Sequence, residues 1–151
     1  MKTIKLIYDK YENDIGFTYQ TEEITKFNYN ILEQINNNQN INNDRNIKIY
    51  TWGIKKHEDI ECDVIFDATL FSTKTNVDVK NLTGLDEIIQ TSIMNHPQFE
   101  SIMERILSEI EENDPLTIAF VCNYGKHRSV GWAELLKYLY YSNATITHRG
   151  L

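Results

Sequence analysis

Apolar and polar positions change period several times along the chain, and each change predicts an element. Residues 3–8 alternate and predict a strand. Residues 22–35 place Ile24, Phe27, Ile31 and Ile35 near one face and predict a helix. The Asn-heavy tract 36–46 predicts a loop or linker. Residues 47–52 and 63–67 predict two strands, the second burying Val64, Ile65 and Phe66. Thr83, with Asp86 three residues on, predicts an N-cap for a helix through Met94, where Pro97 interrupts it. Phe99, Ile102, Met103, Ile106, Leu107 and Ile110 then recur at helical spacing and predict a core-facing stripe. Asn113, Asp114 and Pro115 end that helix. Residues 116–121 (LTIAFV) are nearly all apolar and short, which suits a central parallel strand covered on both faces. A helix over 130–141 and a last strand over 144–147 complete the order.

Strands alternating with helices after residue 47 predict an α/β domain: a mostly parallel sheet, flanking helices and a strand–loop–helix segment for phosphate. The expected division is an N-terminal extension, 1–46, and an α/β domain, 47–151. In a parallel sheet, ligands sit at the carboxyl ends of the strands. Asp67, Cys122 and the pair His148 and Arg149 end three expected strands, so parallel strands would bring them to one edge.

The loop after the apolar run carries the chemistry. Cys122, Asn123, Tyr124, Gly125, Lys126, His127, Arg128 and Ser129 join strand to helix. Such a junction gathers backbone N–H groups at the positive end of a helix dipole. Gly125 permits the curl, Arg128 offers a two-pronged contact to phosphate, and Lys126 and His127 add charge. The order Cys-x-x-Gly-x-x-Arg-Ser resembles the phosphate loop of cysteine-dependent protein phosphatases. In those enzymes Cys122 would be the nucleophile, and Arg128 would hold the phosphoryl oxygens. Val121 stands where those enzymes usually have His. The plain alternative is a small buried cysteine ending a strand.

Composition adds exclusions. At 151 residues, with 41% hydrophobic and 25% charged residues, one soluble domain is expected. No membrane-spanning run and no signal-peptide pattern occur, so a cytoplasmic location without membrane contact is expected. Cys62 and Cys122 lack metal-ligand spacing, so neither metal, other cofactor nor disulfide is expected. A net charge of -7 opposes non-specific nucleic-acid binding across the whole surface.

Four segments together resemble one family, the C-terminal domain of the RNase adapter protein RapZ. They are TWGIKKHEDIECDVIFDATLF (51–71), LTGLD (82–86), LTIAFVCNYGKHRSV (116–130) and THRGL (147–151). The resemblance implies an α/β fold that self-associates, a phosphosugar site for glucosamine-6-phosphate, and binding of small regulatory RNAs. The loop Cys122 to Ser129 would be its phosphate loop. Gly53, Lys55, Asp67, Thr83, Gly84, Asp86, His148 and Arg149 match other characteristic positions. Plain roles compete: a turn cap for Asp67, solvated surface for Lys55, a satisfied edge ring for His148.

The departures are specific. Residues 1–46 lie outside the resemblance, and no phosphate-loop nucleotide motif occurs, so ATP hydrolysis is unsupported. Thr69 replaces an arginine common in the family, and Asn123 and Tyr124 replace its usual Thr and Gly. The family's basic tail would follow Leu151, where this sequence stops; without it RNA is the weaker expectation. The leading expectation is therefore a cytoplasmic, self-associating sensor or adapter for a phosphorylated small molecule. The alternatives are a cysteine phosphatase, with Asp67, Asp78 or Asp86 as acid, and an RNA-binding adapter.

Overall fold

The computed structural model describes residues 2–6, 30–73, 75 and 77–151. Its elements run β1 (Lys2–Lys5), α1 (Asn30–Asn38), β2 (Lys48–Gly53), β3 (Val64–Asp67), α2 (Glu87–Met94), α3 (Phe99–Asn113), β4 (Thr117–Cys122), α4 (Arg128–Leu139) and β5 (Thr145–His148). The strands form one five-stranded sheet in the order β1-β3-β4-β2-β5. Every pairing is parallel. The apolar run falls on the central strand, β4, as its composition predicts.

Alternation along the strands divides the core in two. Ile49, Val64, Phe66, Ile118 and Phe120 join residues of all four described helices in one large cluster. Trp52, Ile65, Ala119 and Val121 face the other way and pack with Cys62 and Ile60. Those last two belong to residues 54–63, which carry the chain from β2 past β4 to β3. Among the described residues, then, helices cover one face and a helix-free connection covers the other. The stripe on α3 is buried throughout, as its spacing predicts.

Several boundaries differ from the pattern. Residues 7–29 lie outside the described residues, including most of the helix expected over 22–35. Helix α1 continues through Asn38 into the Asn-heavy tract. Burial of Ile35 holds it, and Asn38 and Gln39 bond Glu104 and Ser108 on α3. Thr83 does not cap α2, which begins at Glu87 with Asp86 as N-cap. Instead the Asp86 carboxylate accepts the Thr83 N–H at 2.7 Å and the Thr83 hydroxyl accepts the Leu85 N–H at 3.1 Å. The polar side chains thus form a turn before the helix. Helix α4 starts at Arg128, earlier than its apolar pattern suggests, and Tyr140 is its C-cap.

Residues 39–45 are pinned to α3 through Glu111. It accepts from Arg45 Nε at 2.9 Å, from the Tyr141 hydroxyl at 2.6 Å and from the Asn42 N–H at 3.0 Å. Burial pushes the Glu111 carboxyl up, but these donors overcome it and hold it below the usual range.

His96 packs against Phe71, with ring centroids 4.4 Å apart, and burial lowers its pKa to about 4. Unfolding returns the ring to about 6.5. His96 therefore contributes stability fully above pH 6.5 and loses it as pH falls toward 4, by up to about 1.4 kcal/mol per pH unit. Its Nδ1 accepts the Gln98 N–H at 3.1 Å. His96→Asn supplies an acceptor that does not titrate there. Urea unfolding at pH 4.5, 5.5 and 7 should show a shallower pH slope for the variant than for the parent chain.

Candidate anion-binding site

Register brings the expected strand ends to one edge: Gly53 pairs with Cys122, Thr51 with His148 and Asp67 with Val121. Between β2 and β4 the connections part. Residues 54–63 cross one face toward β3, whereas α4 crosses the other toward β5. This is a topological switch point, where parallel sheets open a crevice for ligands.

Close backbone approach shapes the loop between β4 and α4. Gly125 has φ +77°, and a Cβ there would lie 2.6 Å from the Gly53 nitrogen. A Cβ on Gly53 would meet the Tyr124 carbonyl carbon at 2.3 Å, and one on Gly150 would meet the Gly125 oxygen at 2.4 Å. The Cys122 carbonyl accepts the Ile54 N–H, the Asn123 carbonyl the Lys55 N–H, and the Lys126 carbonyl the Gly84 N–H, at 2.9, 3.0 and 2.7 Å. Three segments thus meet on one loop, and side chains are excluded where they cross.

Cys122 lies beneath the loop, only 3% exposed, with Sγ 3.2 Å from the Ser129 hydroxyl. Burial pushes the thiol pKa up. The Ser129 hydroxyl, the N–H groups of Ser129 and Gly125, and the charge of Arg128 outweigh this and leave it lowered. These donors and the nearby guanidinium favour the thiolate form of Cys122.

Arg128 and His127 turn toward the connection between β3 and α2. Arg128 Nη1 donates to the carbonyls of Thr69 at 2.8 Å, Phe71 at 3.0 Å and Ala68 at 3.3 Å. His127 Nε2 lies 2.6 Å from the Leu82 carbonyl and 3.0 Å from that of Val79, so it is the protonated ring nitrogen. Both side chains border a cavity of about 210 Å³ with Ser72, Thr73 and Thr75.

A wider cavity of about 530 Å³ lies on the other side of His127 and is bordered by Lys56, His57, Lys80, Tyr124, Lys126 and Arg149. The Lys55 and Lys56 ammonium groups lie 5.5 and 6.0 Å from the centre of the Tyr124 ring. Arg149 lies 5.3 Å over Trp52, and its Nη1 donates to the Glu58 carbonyl at 2.7 Å. The Gly53 N–H donates to His57 Nδ1 at 3.2 Å, which leaves the proton on Nε2 in the neutral ring.

The terminal pair separates, because adjacent strand residues face opposite ways. Arg149 borders the wide cavity. His148 faces the helices, with Nε2 donating to Glu134 at 3.2 Å and Nδ1 2.7 Å from the Thr51 hydroxyl. Asp67 caps a turn by accepting the Thr69 N–H at 2.8 Å. Neither His148 nor Asp67 lines either cavity. Sequence reasoning passed over Lys56, His57 and Lys80. The run Lys55-Lys56-His57 was a legible signal, but Lys80 had none, since only the fold carries it there.

The fold and site define a class: a parallel α/β domain with a glycine-locked loop and a cationic cavity at its switch point. Within that class the sequence is specific. Residues 45–151 match the RapZ C-terminal domain, and the chain belongs to that family. Among the described residues no helix is long and apolar enough to cross a membrane.

Gly125→Ala should cost at least about 2 kcal/mol, because it adds both a disfavoured φ and a backbone clash. Thermal unfolding should show the loss. Ala at exposed Lys126, which meets neither constraint, should unfold close to the parent chain.

Proposed function

We propose that this domain is a sensor or adapter that binds a phosphorylated small molecule at the carboxyl edge of its sheet, an amino-sugar phosphate such as glucosamine-6-phosphate being the form its family suggests. The observation that carries this reading is the shared cavity: Lys126 and His127 from the loop and Arg149 from the end of β5 all line it. Cations from separate segments around a glycine-locked loop suit a compact anion. In this reading the loop Cys122 to Ser129 holds the phosphoryl group, with Lys126 its direct charge partner. Arg128 acts from the adjoining cavity and positions the loop. Lys55 and Arg149 supply flanking charge, while Asp67 and His148 support the strand ends. The working form is a cytoplasmic homo-oligomer, and RNA is the weaker partner on an acidic chain.

Titration calorimetry with orthophosphate and with glucosamine-6-phosphate tests this. Both should bind the parent chain, and Lys126→Ala should weaken each about tenfold, or about 1.4 kcal/mol. Equal affinity for parent and variant would remove the loop from the site.

One observation supports a second reading, a cysteine phosphatase: the lowered pKa of Cys122 beneath N–H donors. There Cys122 Sγ would attack phosphorus as the P–O bond to the leaving group breaks, with Asp67, Asp78 or Asp86 protonating that oxygen. Water would then cleave the S–P bond. Against it stand the burial of the sulfur and the engagement of Arg128 Nη1 on three carbonyls. Under the binding reading an aryl phosphate should release no product above background. Turnover abolished by Cys122→Ser would establish the enzyme instead.

A further inference from the structure

The wide cavity is not lined by charge alone. Tyr124 and Leu151 border its roughly 530 Å³ together with Lys56, Lys80, Lys126 and Arg149. Tyr124 stays 54% exposed and joins neither core cluster. Packing therefore does not account for an aromatic ring at this position. Its backbone is fixed all the same. The Asn123 carbonyl accepts the Lys55 N–H at 3.0 Å, the Tyr124 Cα lies 2.6 Å from where a Cβ on Gly53 would stand, and Gly125 follows with φ +77°. The Lys55 and Lys56 ammonium groups stand 5.5 and 6.0 Å from the ring centre, near the outer edge of the cation–π range of about 6 Å. They approach the ring without covering it.

Tyr124 and Lys126 are two residues apart, so their Cα atoms lie within about 7 Å of each other. A phosphoryl group at Lys126 therefore brings whatever it is attached to within reach of the Tyr124 ring. In a sugar 6-phosphate that is a pyranose ring, one exocyclic carbon away. Each face of a pyranose carries axial C–H bonds, while its equatorial hydroxyls point outward. Those apolar, weakly positive hydrogens suit the electron-rich face of an aromatic ring. Ligand pockets pair aromatic walls with a few charged groups in the same way.

We infer that Tyr124 selects the ring of the ligand: its aromatic face packs on the C–H face of a pyranose whose phosphoryl group sits at Lys126. This inference rests on the phosphate reading above and keeps its single phosphoryl group. It adds the group that tells a sugar phosphate from phosphate itself.

Titration calorimetry on the full chain with orthophosphate, glucose-6-phosphate and glucosamine-6-phosphate tests it. Both sugar phosphates should bind the parent chain about tenfold or more tighter than orthophosphate. Tyr124→Ala should reduce that preference to about threefold or less and leave orthophosphate within about twofold of the parent. Tyr124→Leu keeps bulk without a π face, should lose the preference too, and serves if the alanine variant does not fold. Tyr124→Phe keeps the ring face and should keep the preference; a loss as large as that of alanine would place the effect in the hydroxyl and overturn the stacking. Equal weakening of all three probes would mean that Tyr124 acts through the loop or the lysines, and a loss confined to glucosamine-6-phosphate would mean that it reads the amine. Either result overturns the inference, as does a preference that survives Tyr124→Ala. If orthophosphate binds the parent chain as tightly as both sugar phosphates, this inference fails while the phosphate reading stands. If none of the three binds, the phosphate reading fails and takes this inference with it.

Discussion

The site depends on the contact between Gly125 and the ends of β2 and β5. With no side chain at Gly53, Gly125 or Gly150, three backbones approach to distances that a Cβ would forbid. The loop after β4 is thereby held by its neighbours as well as by its own turn. The contact has a direct electrostatic consequence. It brings segments bearing Lys56, Lys126 and Arg149 to one cavity on a chain whose net charge is -7. Their mutual repulsion opposes this arrangement, so it must be imposed by something other than charge. Backbone interlock, ladder hydrogen bonds and the buried packing of Trp52 and Val121 impose it.

Strand alternation then decides which side chains reach the cavity. His148 and Arg149 are neighbours in sequence and have opposite surroundings. The imidazole closes the gap between β2, α4 and β5 through Thr51 and Glu134, while the guanidinium lies over Trp52 beside the cavity. The same parity operates on β4. Cys122 faces the helix side, beneath Ser129, and Val121 packs on the other side with Trp52 and Ile65. A shift of register by one residue would exchange both pairs, so the chemistry of the edge is tied to the sheet pairing.

Much of this was legible before any coordinates. The apolar run 116–121 marked the central strand, since a strand covered on both faces needs no polar alternation. The α3 stripe, the parallel order and the convergence of strand ends at the loop were readable for similar reasons. Other features were not. Thr83 and Asp86 have the spacing of a capping box, yet their hydrogen bonds close a turn before the helix, and spacing alone does not distinguish the two. The run Lys126-His127-Arg128 looked like one charged cluster. The backbone turns into α4 within it, sending Arg128 to the carbonyls of residues 68–71 and leaving Lys126 at the wide cavity. Lys80 was illegible because its role depends on where a long connection happens to pass.

That division within the loop gives the two sides different duties. Lys126 presents charge outward. His127 and Arg128 hold the connection between β3 and α2, through the carbonyls of Ala68, Thr69, Phe71, Val79 and Leu82. Gly84 extends this attachment by donating to the Lys126 carbonyl, and a Cβ there would lie 2.1 Å from the Gly131 nitrogen on α4. The connection that brings Lys80 to the cavity is thus fastened to the same short segment that bears Lys126.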